Sequence, residues 1–428
     1  MAMKPAMNEH FLQFIWQNQY FNKNELRLTS GTPFRILYQG NLNSDQGPDF
    51  TDARINIENH VWAGNIELHI LSSDWKRHEH QTDANYNNVI LHVVWVDDEL
   101  NATNDIPVFV LAGRIPKFLL FKYEGWMNTD YDFIPCSPQI SNVSSLLISK
   151  WQDHLIQLRL NRRYERIKER LTSNHFHWEE IFWEMLAKNF GIRVNAEAFE
   201  ELAKSISLNL LIKHKNQIHA LEAMLLGQAG LLENPLSEQY PLLLQKEYSF
   251  YKRKYGLKPI HQPVHFLRMR PVNFPTVRLA QLAMFLHTTP GFFSFIRDCE
   301  NPRDLRAILT VTANDYWHYH YRFDEIASYR PKQTGPDIIN NIFINTVVPM
   351  LYAYGKINHL DAYTNKALSW LLLTAPERNP VISSFTKSGI QTHHAGHTQA
   401  LLEMKNHFCE KKKCLECAIG KFLLKEMN

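Results

Sequence analysis

Two carboxylates and a run of histidines concentrate the chemical potential of this chain in its first hundred residues. Asp49 lies in GPDF (residues 47–50), and Glu67 lies in GNIELH (64–69), two positions before His69. On a strand, alternate side chains point to the same face, so Glu67 and His69 share one. An aspartate at the start of one strand can meet an E-x-basic pair on its hairpin partner. Two carboxylates held close repel each other unless a cation sits between them. A divalent ion such as magnesium or manganese takes that arrangement: one or two carboxylates, some waters and a substrate phosphate oxygen. GPDF also reads as a plain turn in which Asp49 caps backbone amides.

The segment DWKRHEHQTD adds Asp74, His78, His80 and Asp83, and His92 follows in VILHVVWV. A His-x-His pair faces one way on a strand and diverges on a helix. In an extended conformation, His78 and His80 would bind zinc, manganese or iron together with His69, His92 or an acid such as Asp83. That chemistry describes a histidine–metal hydrolase. His92, on an apolar strand, reads equally as a hydrogen-bonded core residue.

A third cluster closes the sequence: Cys409, Cys414 and Cys417 form a C-x4-C-x2-C array in CEKKKCLECAIG. Three thiolates so close need one further ligand for a tetrahedral zinc or an iron–sulfur cluster. Cys136, in FIPCSPQ, is the candidate that would complete the set. Cys299 stands alone and reads as a core thiol. The competing reading places the array on a helix, with its thiols merely packed.

Elsewhere the signals are weaker. NRRYERIKER (161–170) is a basic helix from which Arg162, Arg163 and Arg166 would meet nucleic-acid phosphates. It reads equally as a solvated face, with Glu165 and Glu169 as i,i+4 partners. FLRMRPVNFPTVR and DYWHYHYRF suit packing or a cleft wall. There is no phosphate-cradling glycine loop, nucleophile elbow or dinucleotide fingerprint.

The elements that must position these groups follow from periodicity. Phe11, Leu12, Ile15 and Trp16 predict a helix over about 8–21. Strands are expected at Phe34–Tyr38, Asp52–Ile57 and His60–Ile70, with Gly64 a possible bulge. A helix capped by Ser72 or Ser73 should precede the apolar strand Val89–Val96, a run that reads as covered on both faces. A last strand is expected at Ile106–Leu111. The order helix, three strands, helix, strand predicts an α/β unit with a mixed sheet flanked by helices. Beyond about residue 145 the period becomes helical. Helices are expected near 178–190, 196–212, 216–231, 276–288, 302–310, 337–354, 360–373 and 397–424.

With 428 residues the chain exceeds the size of one hydrophobic core. Two domains are expected, an α/β domain over 1–140 and a mainly helical one over 141–428. A formal charge of +3 provides no global field toward nucleic acid, so any basic surface must be local. No run of about 18 apolar residues suggests a membrane span. The beginning of the sequence lacks a secretory pattern, and five cysteines fit a reducing compartment, so the cytoplasm is the expected location.

The order helix, strand, strand with Asp, strand with Glu-x-basic, helix, strand resembles the core of the PD-(D/E)XK nuclease superfamily over about residues 8–97. That resemblance implies a restriction-endonuclease-like fold and a metal-dependent nuclease cutting phosphodiesters. It makes Asp49 and Glu67 ligands of magnesium or manganese and Glu9 the helix acid. His69 stands where that pattern has lysine. As its ordinary pKa is near 6.5, it is a poorer permanent cation, and Lys76 is the nearby alternative. Some related nucleases also carry a cluster built from one upstream and three downstream cysteines. More broadly, G-x-L-N-x-x-x-GPDF, GNIELH, SSDWKRHEHQTD, NVILHVVW, RPVNFP and the closing cysteines resemble an uncharacterised bacterial family, a domain of unknown function. A binding or scaffold protein without catalysis fits the same residues.

Overall fold

The computed structural model of the protein describes residues 7–43, 46–99, 106–128, 133–289 and 291–426. The chain falls into two compact units, residues 1–151 together with 404–428, and residues 152–403.

The first unit opens with helix α1 (Glu9–Asn18). Asn8 caps it by accepting the Phe11 N–H at 2.9 Å. The helix stops at Gln19, whose left-handed backbone closes the last turn, three residues earlier than periodicity predicts. Phe11, Leu12, Phe14, Ile15 and Trp16 are buried. Each such side chain contributes about 2 kcal/mol of gross hydrophobic stabilisation.

A six-stranded mixed sheet follows, built from β1 (Phe34–Tyr38), β2 (Asn41–Leu42), β3 (Phe50–Ile57), β4 (His60–Leu71), β5 (Val89–Val96) and β6 (Val108–Val110). β1 and β2 pair with successive parts of β3, and β3 pairs antiparallel with β4. β5 lies parallel to β4, and β6 parallel to β5. The pairing register slips on β3 between Phe50 and Ala53, where Asp52 has a φ of 60°. This slip bends the strand where Asp49 enters it. Gly64 has a related but different role from the expected bulge. A Cβ there would meet the Asn88 carbonyl oxygen at 2.5 Å, so only glycine allows the chain entering β5 to come this close.

The crossover from β4 to β5 carries one helical turn, α2 (Asp74–Arg77), and two 3₁₀ turns at His80–Thr82 and Ala84–Tyr86. Neither serine caps α2 as expected. Ser73 makes no side-chain cap bond, and the Ser72 hydroxyl donates to Asp97 and Asp98. Helix α3 (Lys117–Asn128) meets the last segment of the chain, where Lys122 donates to the Leu423 carbonyl at 2.6 Å. The expected helix over 397–424 is divided. Residues Ala395–Met404 and Ala418–Lys425 are helical, and a π turn (Lys405–Cys409) and irregular backbone carry the cysteines between them.

The second unit is helical, with a two-stranded ribbon at His320–Arg322 and Glu325–Ile326. Its helices include Trp178–Phe190, Ile218–Gln228, Pro275–Thr288 and Asp361–Leu372, close to the periodicity. The expected 337–354 helix contains a π turn at Phe343–Val347, ahead of Pro349, which has no N–H to continue the regular ladder. Helix Gln239–Tyr255 was not anticipated. At its centre this unit buries Glu222, whose carboxylate accepts from Tyr240 Oη (2.6 Å) and Trp317 Nε1 (3.0 Å). From DYWHYHYRF, Trp317 reaches this buried acid, while Tyr316 and His320 bond Glu238.

Candidate metal centre

Register brings the polar residues of β4 and β5 together. Glu67 pairs with His92 across the parallel ladder, and alternation puts His69 on the same face. All three are buried, at 6%, 2% and 1% exposure, which for such groups demands partners. His69 Nδ1 lies 2.9 Å from His92 Nε2, which fixes the ring and leaves His69 Nε2 facing α2.

His78 and His80 reach the same point through a conformation that is neither strand nor helix. His78 ends α2, Glu79 adopts left-handed φ and ψ of 58° and 26°, and His80 begins the next turn. This reversal folds both rings toward β4. His78 Nδ1 stands 3.2 Å from His69 Nε2. Glu67 Oε1 stands 3.5 Å from His69 Nε2 and 3.5 Å from His80 Nε2. One donor atom from each of the three histidines falls within a 4.8 Å group.

These spacings match a metal site. Donors arranged tetrahedrally about 2.1 Å from one ion stand about 3.4 Å from each other. The three imidazoles group within 4.8 Å, while Glu67 Oε1 approaches His69 and His80 and stands outside the group that includes His78. His80 Nε2 is buried with no hydrogen-bond partner, the condition expected of an atom aimed at an ion. Tyr86 stacks on His80 at 3.8 Å and Trp75 lies edge-on to it at 5.3 Å, so aromatic walls hold the ring in place. His78 is exposed and gives the site an open side.

Asp49 touches the site from the other flank. Its Oδ2 accepts the Leu68 N–H at 3.0 Å and its Oδ1 accepts Gln13 Nε2 at 2.7 Å. Its own N–H donates to Glu67 Oε2 at 3.0 Å, leaving Oε1 for the histidines. The two acids expected to converge do so, but Asp49 is engaged through both oxygens and orients Glu67. Glu9 is close enough on α1 to raise the pKa of both acids. Gln13, one turn further along that helix, is the contact that sequence reasoning missed. The i,i+4 spacing from Glu9 was the available signal.

The electrostatics describe a pocket short of positive charge. Burial, then the neighbouring Asp49, pushes the Glu67 carboxyl up to about 9, and burial pushes Asp49 up to about 6. Burial and the facing imidazoles push His69 down to about 2 and His92 down to about 4, so both rings are neutral. Burial also lowers His80. Neutral imidazoles are the form that ligates metals.

The two cations of α2 pair away from the histidines. Lys76 pairs with Glu99 at 3.0 Å, and Arg77 with Asp74 at 2.8 Å. Asp83 caps a 3₁₀ turn by accepting the Asn85 N–H at 2.9 Å and stands outside the histidine group.

The residues matched by one family model run from 9 to 380, and its description reads Protein of unknown function (DUF2851). The chain belongs to that family. No curated protein matches it, and no solved structure does.

In this DUF2851 chain the basic-helix residues lie in helix α4 (Ser145–Ser173). Arg162 pairs with Glu403 at 2.6 Å, and Arg163 donates to the Ile344 carbonyl and Asn345, both at 2.6 Å. Arg166 is exposed and, with Arg163, Arg170 and Lys188, lines a cavity of about 290 Å³ in the second unit. Among the described residues, no helix is long and apolar enough to cross a membrane.

Proposed function

We propose that this protein is a metal-dependent hydrolase in which His69, His78, His80 and Glu67 hold one divalent ion. The observation that carries the reading is the set of donor spacings, 3.2, 3.5 and 3.5 Å, around a space faced by the unpartnered His80 Nε2. Three imidazoles and one carboxylate favour zinc, manganese or iron over magnesium, which prefers an all-oxygen shell. This moves the metal of the acidic-pair reading about one residue's reach along β4, from Asp49 and Glu67 to Glu67 and the histidines.

Such an ion supplies a Lewis acid that polarises water and the bond to be cut. The chain supplies the rest. His92 orients His69, Asp49 orients Glu67 through its backbone N–H, and Tyr86 and Trp75 exclude water from one side of the site. The exposed edge at His78 is where a substrate would enter. We take a phosphodiester of nucleic acid as the substrate class. Its support is the sequence order of helix, strands and acids, which resembles the PD-(D/E)XK core, with His69 in place of lysine.

The test is metal content followed by cleavage. Protein loaded separately with zinc, manganese and ferrous iron should bind one equivalent at this site and hydrolyse DNA, RNA or bis(p-nitrophenyl) phosphate. His80→Ala should lose both properties. Equal numbers of metal equivalents in wild type and His80→Ala would sink the site, and full loading without hydrolysis of any of the three probes would sink the activity.

A further inference from the structure

The C-terminal segment belongs to the first unit although some 250 residues of the second unit separate it from the rest. Three polar tethers attach it there. Lys122 donates to the Leu423 carbonyl, Lys405 to Phe133 (2.9 Å) and Lys412 to Met127 (2.5 Å). The segment carries Cys409, Cys414 and Cys417, and its tethers bring them against the turn holding Cys136. All four are free thiols, and Cys136, Cys414 and Cys417 are buried. Each lies close enough to the others for their charges to couple.

A buried thiol can pack as a small apolar group. The surroundings of Cys417 are also polar. Cys417 precedes the helix Ala418–Lys425, so it sits at the start of that helix beside the N–H groups of Ile419 and Gly420. Burial raises the pKa of all four thiols, while the start of a helix favours a sulfur that carries negative charge. Gly420 is required for this turn, because a Cβ there would meet the Cys414 carbonyl oxygen at 2.2 Å. Lys405, Lys412 and Lys421 stand beside Cys409, Cys414 and Cys417 and would offset a cluster of negative charge.

From this convergence we infer that Cys136, Cys409, Cys414 and Cys417 together hold a thiolate-bound metal centre that fastens the end of the chain to its α/β unit. Among the described residues, the group with donor atoms all within 4.8 Å is the histidine set, so the four sulfurs spread more widely than the edge of about 3.8 Å around a single zinc. That spread favours an iron–sulfur cluster. Assembly of either centre displaces the four thiol protons. The site is separate from the proposed hydrolytic ion and stands or falls without it.

The experiment is iron, sulfide and zinc analysis of the full chain, produced with iron supplied and purified without oxygen, with its visible spectrum. Cys299→Ser serves as the control, because Cys299 is half-buried and donates to the Asn301 carbonyl. Four iron and four sulfide per chain with broad visible absorption, retained in Cys299→Ser and lost in Cys414→Ser, is the expected result. One zinc with the same dependence would establish the four-thiolate centre and overturn the cluster. Wild-type protein containing neither metal, with all four thiols free to react, would overturn the centre itself, whether or not Cys414→Ser folds. Metal at His69, His78 and His80 is counted separately through His80→Ala.

Discussion

His69 and His92 lie on neighbouring parallel strands with Nδ1 and Nε2 2.9 Å apart, so each ring fixes the tautomer of the other. Neither carries a second proton near neutral pH, because burial lowers both. His69 must then donate from Nδ1 or accept there, and the proposed ligand role of Nε2 requires that it donate. Replacing His92 with Phe keeps the volume and removes the acceptor. We predict metal affinity about 10–100-fold weaker in His92→Phe, the range typical of such orienting groups. Competition against a chelator reads it, and unchanged affinity would show that His69 is oriented by something else.

Glu79 joins the two solvent-side histidines through a left-handed backbone, with φ of 58°. Glutamate already bears there the left-handed cost of about 1–2 kcal/mol that glycine avoids, and a β-branched residue bears more, by roughly a further 1–2 kcal/mol. Glu79→Val should therefore lower stability by about that amount and weaken the metal, because relaxation of the turn swings His78 and His80 apart. Glu79→Gly should keep the metal. Equal metal affinity in both variants would show that the turn does not set the spacing.

Glu222 gives a pH signature in the other unit. Burial pushes its carboxyl up to about 7, above the ordinary value of 4.5. Below the unfolded pKa the group is protonated in both states and adds no penalty. Between about 4.5 and 7 the unfolded chain releases its proton while the folded one keeps it, so stability falls as pH rises. Above 7 the loss is complete, at most about 3 kcal/mol. Glu222→Gln should flatten this part of the curve in urea unfolding followed from pH 4 to pH 8. An identical slope in both proteins would place the titration elsewhere.

Much of this was legible in the sequence, and the exceptions share a cause. Alternation along GNIELH put Glu67 and His69 on one face, and the apolar run around His92 marked a covered strand. The approach of Asp49 to Glu67 followed from hairpin logic. Three features escaped. The capture of both Asp49 oxygens depends on Gln13 and on the Leu68 N–H, which are distant in sequence. The meeting of His78 with His80 depends on a left-handed glutamate, a conformation no periodicity encodes. The return of residues 404–428 to the first unit was signalled only by the expected pairing of Cys136 with the closing cysteines, and the long-range contacts that make it carry no local pattern. Local rules located the donors; tertiary folding decided which of them face each other.

Asp49 separates the two ways of placing the ion. If Asp49 ligates it, as the nuclease resemblance implies, Asp49→Asn removes a ligand charge and the ion leaves. If His69, His78, His80 and Glu67 hold it, Asp49→Asn keeps the ion while Glu67→Gln releases it. The geometry favours the second outcome, because Asp49 already accepts from Leu68 and Gln13 while Glu67 Oε1 faces the histidines. The metal-free protein adds an independent reading. Burial holds the Asp49 carboxyl at about 6, so near pH 7 it carries a charge its surroundings resist. Asparagine removes that charge, worth at most about 3 kcal/mol. It keeps an acceptor for Leu68 while losing the one for Gln13, at a cost of about 1–2 kcal/mol. Metal-free Asp49→Asn should therefore be more stable than wild type by about 1 kcal/mol at pH 7. The advantage should vanish below pH 4, where the carboxyl is protonated in both folded and unfolded chains. Chemical unfolding in a chelator measures it. A variant less stable at pH 7 would show that the charged form of Asp49 supports the fold.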